Sequence, residues 1–296
     1  MLAQQIFNGV IIGAIYGLFA LGFNLIFGVQ KIMNLAHGAV FMAGAFIALY
    51  AVQLGLPLWV AFIFSVTLCG VLGVVLDFLA FRPLRKRGEA EFAAIMSSIG
   101  ANMILMNFAR QLSEGQVFRF PFGLVPLTPL QFFGLRVGVI QLIVSGLMVV
   151  VVLGLGYYLY RTSFGRQVRA VSSNERAAML LGIEPRNVYM QTFFLSGVLA
   201  GASGILIGLT FNSIHFMMGE PYLLRAFAVL ILGGLGSLVG AVVASLILGV
   251  AQSLSGAYLP AGFIDIVVFA IIFGMLVVRP NGLFGKAVAN SGTARQ

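Results

Sequence analysis

Five polar side chains interrupt the apolar stretches of this sequence, and these are the residues whose chemistry could act on a solute. They are Asn24, Asn34, His37, Asn102 and Asn107. An amide or imidazole in hydrocarbon costs free energy unless it is hydrogen-bonded or faces a water-filled path. We therefore take these five as candidates for lining a path. The alternative is that each one bonds to a neighbouring helix and only holds the structure together.

The sequence lacks the motifs typical of enzymes that perform covalent chemistry. The single cysteine, Cys69, cannot form an internal disulfide or a cysteine-based metal site. There is no HExxH motif, and Gly285 and Lys286 are followed by Ala287, so the phosphate-binding pattern GxxxxGK[ST] is absent. We expect no catalytic residue, no metal ligand and no cofactor bound by this chain. A membrane-embedded enzyme is accordingly disfavoured.

Acidic residues near the middle of an apolar segment would indicate a carrier driven by protons or sodium. Asp77 lies near the end of one segment, about a turn from Arg82, and Asp265 lies near the start of the last. Glu220 and Arg225 flank a short connection and are expected to pair with each other. The energy for any transport must therefore come from another source.

Composition identifies the class of protein in which these residues lie. Of 296 residues, 60% are hydrophobic and only 8% are charged, whereas about a quarter of an ordinary soluble protein is charged. The net charge of +9 fits the excess of Lys and Arg in the cytoplasmic loops of membrane proteins better than it fits nucleic-acid binding. We expect a multi-pass membrane protein with a single transmembrane domain, residues 1–296.

Apolar runs long enough to cross a bilayer predict an all-α fold with about 8–9 transmembrane helices. The seventh run is short and ends at the glycine-rich Gly233-Gly234-Leu235-Gly236-Ser237, so we expect a half-helix or re-entrant piece there. The nine runs are residues 6–27, 35–52, 58–81, 92–110, 140–160, 188–211, 224–235, 239–257 and 263–278.

Glycines at four-residue spacing indicate faces where helices approach closely. The alternative is that helices slide along these faces during transport, but close packing is the simpler interpretation. The glycines assigned to helix packing are Gly9, Gly13, Gly17, Gly197, Gly201, Gly236 and Gly240.

A basic, hydrophilic segment of residues 161–187 separates two apolar runs. It carries five arginines against two glutamates, which places it on the cytoplasmic side. Ser172, Ser173 and Asn174 offer oxygens that could cap the start of a helix, and Gly182 followed by Pro185 is expected to end it. We predict a short helix between these signals with an exposed Ala/Leu face.

The remaining loops orient the chain. FRPLRKRGEAE, beginning at Phe81, forms a second basic loop, and Arg279, Lys286 and Arg295 place the C-terminus on the cytoplasmic side. The N-terminus and the loop of residues 111–139 are then external. That loop holds Arg119 and Arg136, which argues mildly against an external position, and we expect its apolar side chains to insert into the outer membrane surface.

Four motifs in order resemble permeases of branched-chain amino-acid ABC importers, most nearly the LivH-type subunit. The motifs are GLFALGFNLIFGVQKIMNLAHGAVFMAGAF from Gly17, GRQVRAVSSNERAAMLLGI from Gly165, AVLILGGLGSLVGA from Ala228 and RPNGLFG from Arg279. The resemblance covers essentially the whole chain and implies a subunit of the bacterial inner membrane. It also implies four kinds of partner: a second homologous permease, two ATPase subunits that bind ATP, a periplasmic or surface solute-binding protein, and the lipid bilayer.

The resemblance gives residues 161–187 the role of coupling the chain to the ATPases. The residues that match this part of the family motif are Gly165, Arg169, Ala170, Asn174, Ala177, Ala178, Gly182 and Ile183, and Glu175 and Leu181 join them as helix start and apolar contact. In the coupling role the small alanines permit close docking and the arginines meet acidic residues of the ATPase. The alternative is that residues 161–187 are a solvated loop without a partner.

The resemblance leaves the substrate open. Permeases for urea and short amides carry very similar motifs, so the expected substrate is a branched-chain amino acid, with urea, a short amide or another small amino acid as the alternative. A stand-alone small-solute channel is an alternative of a different class, because the same polar residues could form a filter.

Overall fold

The computed structural model describes residues 2–87, 91–121, 123–124, 130–132, 135–260 and 262–285. The helices in the first half are α1 (Leu2–Gln30), α2 (His37–Gln53), α3 (Leu58–Leu76), a π-helical turn (Asp77–Phe81), α4 (Arg82–Arg87) and α5 (Glu91–Leu112). A short antiparallel pair follows, β1 (Leu130–Phe132) and β2 (Leu135–Val137). The second half contains α6 (Val139–Arg161), α7 (Ser163–Ser173), α8 (Glu175–Leu180), α9 (Pro185–Phe211), α10 (Gly219–Gly233), α11 (Leu238–Tyr258) and α12 (Phe263–Val278).

Every apolar run of the sequence coincides with a helix, which confirms the expected all-helical membrane protein. In the described ranges, six helices are long and apolar enough to cross a bilayer: Leu2–Gln30, Leu58–Arg85, Phe92–Leu112, Val139–Arg161, Pro185–Phe211 and Leu238–Tyr258. Two shorter apolar helices are His37–Gln53 and Phe263–Val278. α10 has 15 residues, about 22 Å of helix, and is too short to span the hydrocarbon alone.

The core is built around α1 and α9. α1 packs against α11, α9 and α10, and α9 also packs against α2 and α3. The outer helices α5 and α6 keep most of their side chains on the surface of the chain, as a membrane-facing or partner-facing helix does. The central helices therefore form one packed body, and α5, α6 and α12 lie at its outside.

Glycines allow the closest of these contacts. Gly9 and Gly13 face the backbone of α11, and Gly17 faces Ser245 of that helix. Gly197 and Gly201 pack against Cys69 of α3, and Gly240 packs against the backbone of Gly233. In each case a β-carbon would overlap atoms of the neighbouring helix.

Gly236 is an exception to the predicted pattern. It lies in the turn between α10 and α11 with φ of 81°, and so it is not part of a helix face. A positive φ is strained for residues with a β-carbon, so this glycine permits the turn. The prediction of a helix-packing role is wrong at this position.

Contacts between segments far apart in the sequence define the two ends of the helical body. The Gln4 side chain hydrogen-bonds both the carbonyl and the N–H of Arg136, and Phe118 pairs with Ile214 through two backbone hydrogen bonds. The start of α1, the loop residues Phe118 and Arg136 and the connection after α9 therefore lie at one end. The Arg85 side chain bonds Gln30, the last residue of α1, at the other end.

Candidate functional site

The basic segment between α6 and α9 folds as two capped helices. Thr162 caps α7 by accepting a hydrogen bond from the N–H of Gly165 at 3.1 Å, and Asn174 caps α8 by accepting from Ala177 at 3.0 Å. α8 is the short helix expected from the cap and stop residues. The cap and stop residues did not predict α7, although the apolar spacing of Phe164, Val168 and Val171 is helical, and the last two are buried.

α8 presents an apolar surface at its C-terminal end. Leu180 is 89% exposed, Leu181 79% and Met179 50%, on a segment that carries no such surface elsewhere in its described residues. Gly182 has φ of 79° with open space around it, so it ends the helix and leaves this surface uncovered. Exposed leucines beyond a capped helix in a hydrophilic segment are typical of a protein-docking surface.

Ala178 differs from its neighbours. It is only 2% exposed, whereas Ala177 on the same turn is exposed. The expected contact of both alanines with a partner is therefore corrected for Ala178, which packs within this chain. Ala170 and Ile183 are half-buried.

The corner between α6 and α7 is tightly built. Gly165 packs directly on the carbonyl groups of Tyr158 and Leu159, where no β-carbon would fit. The Arg169 guanidinium donates to the Leu159 carbonyl and lies 5.6 Å from the centre of the Tyr160 ring. Gly165 and Arg169 therefore hold α7 against the end of α6.

A charge network joins α3 and α4 to α1 and α9 at the same end. The Arg85 guanidinium lies 2.6 Å from Asp77 Oδ1, donates to Gln30 Oε1 at 2.7 Å and lies 4.6 Å from the centre of the Tyr189 ring. In the sequence Asp77 lies about a turn from Arg82, but its ion-pair partner is Arg85. The π-helical turn changes the phase of the helix, so that residue 85 returns to the face of residue 77.

Asn24 is buried in α1 and is hydrogen-bonded through both its amide oxygen and its amide nitrogen. Its Oδ1 accepts a hydrogen bond from the N–H of Gly236 at 2.9 Å, and its Nδ2 donates to the Ser237 carbonyl at 3.0 Å. Ser237 in turn caps α11 through the N–H of Gly240. Asn24 therefore fixes the turn between α10 and α11.

Asn34 and His37 lie at the start of α2 and are buried. Asn34 Oδ1 accepts from the N–H of Ala36, which forms a local turn before the helix. The His37 ring bonds the Phe19 carbonyl at 3.1 Å and the Ser196 hydroxyl at 3.3 Å, so it links α1, α2 and α9.

Asn102 and Asn107 lie on α5 and bond only to their own helix. Asn102 Nδ2 contacts the Met106 sulfur at 3.2 Å, and Asn107 Nδ2 donates to the Met103 carbonyl at 2.8 Å. Asn107 is exposed on the outer face of the chain. The structure therefore does not bring the five path candidates together into one lining.

A cavity of about 970 Å³ opens at the end that carries α7. It lies between the ends of α1 and α6, the turn between α10 and α11, and residues 279–285. Asn24 is at its wall, and Lys31 and Arg169 give it positive charge. Of the five path candidates, only Asn24 contributes to it.

A second polar cluster surrounds Arg225 in α10. Arg225 Nη2 lies 3.6 Å from Asp265 Oδ1 in α12, so the expected pair with Glu220 is replaced. The guanidinium also lies 5.6 Å from the Tyr16 ring and 5.4 Å from the Tyr222 ring. Sequence reasoning missed this cluster, because its members lie on three helices far apart in the chain.

Comparison with known proteins identifies the family. A family model described as branched-chain amino acid transport system / permease component matches residues 5–277. The high-affinity branched-chain amino acid transport system permease protein LivH of Salmonella typhimurium is 30% identical over 295 residues, which cover 96% of this chain and 95% of LivH. LivM of Escherichia coli, a permease protein of a system with the same description, is 25% identical over 91% of this chain and 67% of its own length.

A solved structure has a similar fold. One chain of PsaBC from Streptococcus pneumoniae, solved in complex with Fab, superposes with a TM-score of 0.52 at 15% identity, covering 96% of this chain and 98% of that chain. At this identity the likeness concerns the fold alone. Because the family model covers residues 5–277 and the similarity to LivH runs almost end to end, this chain belongs to the family of branched-chain amino acid transport system permease components.

Proposed function

We propose that this chain is a permease subunit of an ATP-driven importer for branched-chain amino acids. The observation that carries the proposal is the family match over residues 5–277. The names of the relatives support the choice of substrate over urea or a short amide. The chain forms part of the translocation path and uses ATP that is bound and hydrolysed on partner subunits.

α7 and α8 are the coupling segment in this proposal. The exposed Leu180 and Leu181 dock into a groove of the ATPase, with Ala177 and Gly182 beside them. Gly165 and Arg169 transmit movement of α7 to α6, because they hold the two helices together. Asn174 and Glu175 start α8 at the joint between the coupling helices.

The remaining partners follow from the same family. We infer a second permease subunit homologous to this chain, two ATPase subunits and a solute-binding protein outside the membrane. The similarity to both LivH and LivM supports a pair of related permeases. We infer that the binding protein docks at the end of the permease that holds the start of α1, Phe118 and Arg136.

The proposed topology is a single permease domain, residues 1–296, in the inner membrane of a bacterium. The N-terminus is external and the C-terminus and residues 161–187 are cytoplasmic. Counting α2, α10 and α12 with the six long helices gives nine segments within the membrane in the described part of the chain. α10, with 15 residues and the Gly234 and Gly236 turn, is the short or re-entrant element.

Uptake by the reconstituted complex tests the function. Liposomes containing this chain, the second permease, the ATPases and an external binding protein should accumulate radiolabelled leucine only when ATP is enclosed. An excess of unlabelled isoleucine should compete, whereas urea should not. Leucine flux through this chain alone, without ATP, would instead identify a channel.

A pair of charge substitutions tests the coupling surface. Replacing Leu180 and Leu181 by Asp should prevent the ATPases from co-purifying with the permease, because two carboxylates would be desolvated in the apolar contact. Leu54→Asp is the matched control, since Leu54 is 84% exposed in the turn after α2, at the opposite end. ATPase retention by the Leu180/Leu181 variant at the level of the control would refute the docking role.

A further inference from the structure

Arg225 is a guanidinium within the membrane-embedded part of the protein. Its side chain is 17% exposed, and the Tyr16 ring beside it belongs to the middle of the 29-residue helix α1. Within the described ranges, Arg225 Nε is buried without a hydrogen-bond partner. A charged group at such a position marks a solute pathway or a specific partner, because the cost of burying it must be offset.

Asp265, the ion-pair partner of Arg225, has an exposed side chain, whereas that of Arg225 is largely buried. Asp265 is 74% exposed, although it is the one charged residue of α12, whose other residues are nearly all apolar. Phe269 and Phe273, one and two turns further along the helix, are also exposed and apolar. A carboxylate on this face cannot remain against lipid hydrocarbon, so it faces water or another protein chain.

We propose that Arg225 and Asp265 form a recognition point for the zwitterion of an amino acid in the translocation path. This inference rests on the proposed function and adds the site at which the permease itself contacts the substrate. Arg225 binds the α-carboxylate, and Asp265 binds the α-ammonium group. The exposed face of α12 around Asp265 then lines the aqueous route beside the second permease.

The geometry of the pair suits an exchange of partners. The Arg225–Asp265 separation of 3.6 Å is longer than a good charge-assisted hydrogen bond of about 2.7–2.9 Å, so the contact is loose. Because Nε is buried, a ligand reaches the guanidinium at Nη2, the atom that faces Asp265. A substrate carboxylate would take the place of Asp265 at Nη2 through a charge-assisted hydrogen bond and release Asp265 to the ammonium group.

The surrounding rings hold Arg225 in position. Tyr16 and Tyr222 pack edge to face with centroids 5.7 Å apart, and the Tyr16 hydroxyl donates to Gln252 at 2.7 Å. Two opposite charges with this spacing recognise a zwitterion, whereas neutral urea offers neither a carboxylate nor an ammonium group. The pair therefore favours amino acids over short amides within the permease.

Transport by the reconstituted complex of permeases, ATPases and leucine-loaded binding protein tests the inference, with Asp265→Asn as the main variant. Loss of one charge-assisted hydrogen bond should lower leucine uptake about ten- to hundredfold. ATP hydrolysis stimulated by the loaded binding protein should stay within about twofold of the unsubstituted complex, because the docking surface is unchanged. Glu220→Gln is the matched control, an exposed carboxylate at the start of α10 whose loss should leave uptake unchanged.

The outcomes separate recognition from structural support. Uptake by Asp265→Asn equal to that of the Glu220→Gln control overturns the inference. Uptake and ATP hydrolysis that fall together with the thermal unfolding midpoint also overturn it, since the pair would then only hold α10 to α12. Failure of the unsubstituted complex to accumulate leucine counts against the proposed function instead, so the two failures are distinguishable.

Discussion

The Asp77 carboxylate and the Arg85 guanidinium meet at 2.6 Å across a π-helical turn, and their side chains are only 6% and 21% exposed. Arg85 also reaches Gln30 of α1 and lies over the Tyr189 ring of α9. One guanidinium thus holds the ends of three membrane helices at the end that carries α7.

Replacing Asp77 by Ala should lower the free energy of unfolding by about 3 kcal/mol, because Arg85 would remain largely buried without its counter-charge. Denaturation of the purified complex in mixed detergent micelles measures the change. Arg82→Gln is the control, since Arg82 lies 5.1 Å from the Phe78 ring and acts on Asp77 more weakly than Arg85 does. A loss no larger than that of the control would contradict the structural role of the pair.

Replacing Gly204 by Ala should destabilise the contact between α2 and α9. The added methyl group would overlap the Phe41 carbonyl, and overpacking of this kind costs about 1–3 kcal/mol. Gly146→Ala is the matched control on α6, where an added β-carbon meets nothing within 4 Å. That control should be neutral or more stable by about 0.5–1 kcal/mol, because alanine favours a helix. Equal unfolding midpoints for both variants would show that α2 and α9 can move apart to accept the methyl group without a loss of stability.

Local signals in the sequence predicted most of the helices. Hydropathy and length depend only on neighbouring residues, so every apolar run was located, and the Asn174 cap with the Gly182 stop located α8. The partners of Asp77 and Arg225 could not be predicted in this way. The first depends on the phase change of a π turn and the second on contacts between α10 and α12, which no local pattern encodes. Asn24 was predicted either to line the path or to bond a neighbouring helix, but its partner could not be named, because the turn that it binds lies more than 200 residues further along the sequence.

Replacing Gly182 by Val should disturb the end of α8, whereas Gly182→Asn should be tolerated. The backbone φ of 79° at this position is strained for a β-branched residue, at a cost of about 1–3 kcal/mol, and Asn adopts such angles more readily. Because a β-carbon at residue 182 meets nothing within 4 Å in the described part of the chain, the difference between the variants does not come from a clash inside the permease. ATP-dependent leucine uptake should fall for Val and persist for Asn. Equal uptake by the two would mean that the path of the chain after Leu181 does not matter for coupling.

Replacing Asn24 by Ala should loosen the turn between α10 and α11. The N–H of Gly236 and the carbonyl of Ser237 would lose their partner, and two hydrogen bonds contribute about 1–3 kcal/mol in total. Asn107→Ala is the matched control, because that exposed amide bonds only within its own helix and should change stability by less than about 0.5 kcal/mol. The unfolding free energy and the KM for leucine-loaded binding protein are measured together. If the Asn24 amide is structural, its loss lowers the unfolding free energy and leaves KM nearly unchanged. Reduced uptake with an unchanged unfolding free energy would instead indicate that Asn24 lines the translocation path, which fits its position at the wall of the cavity near α7.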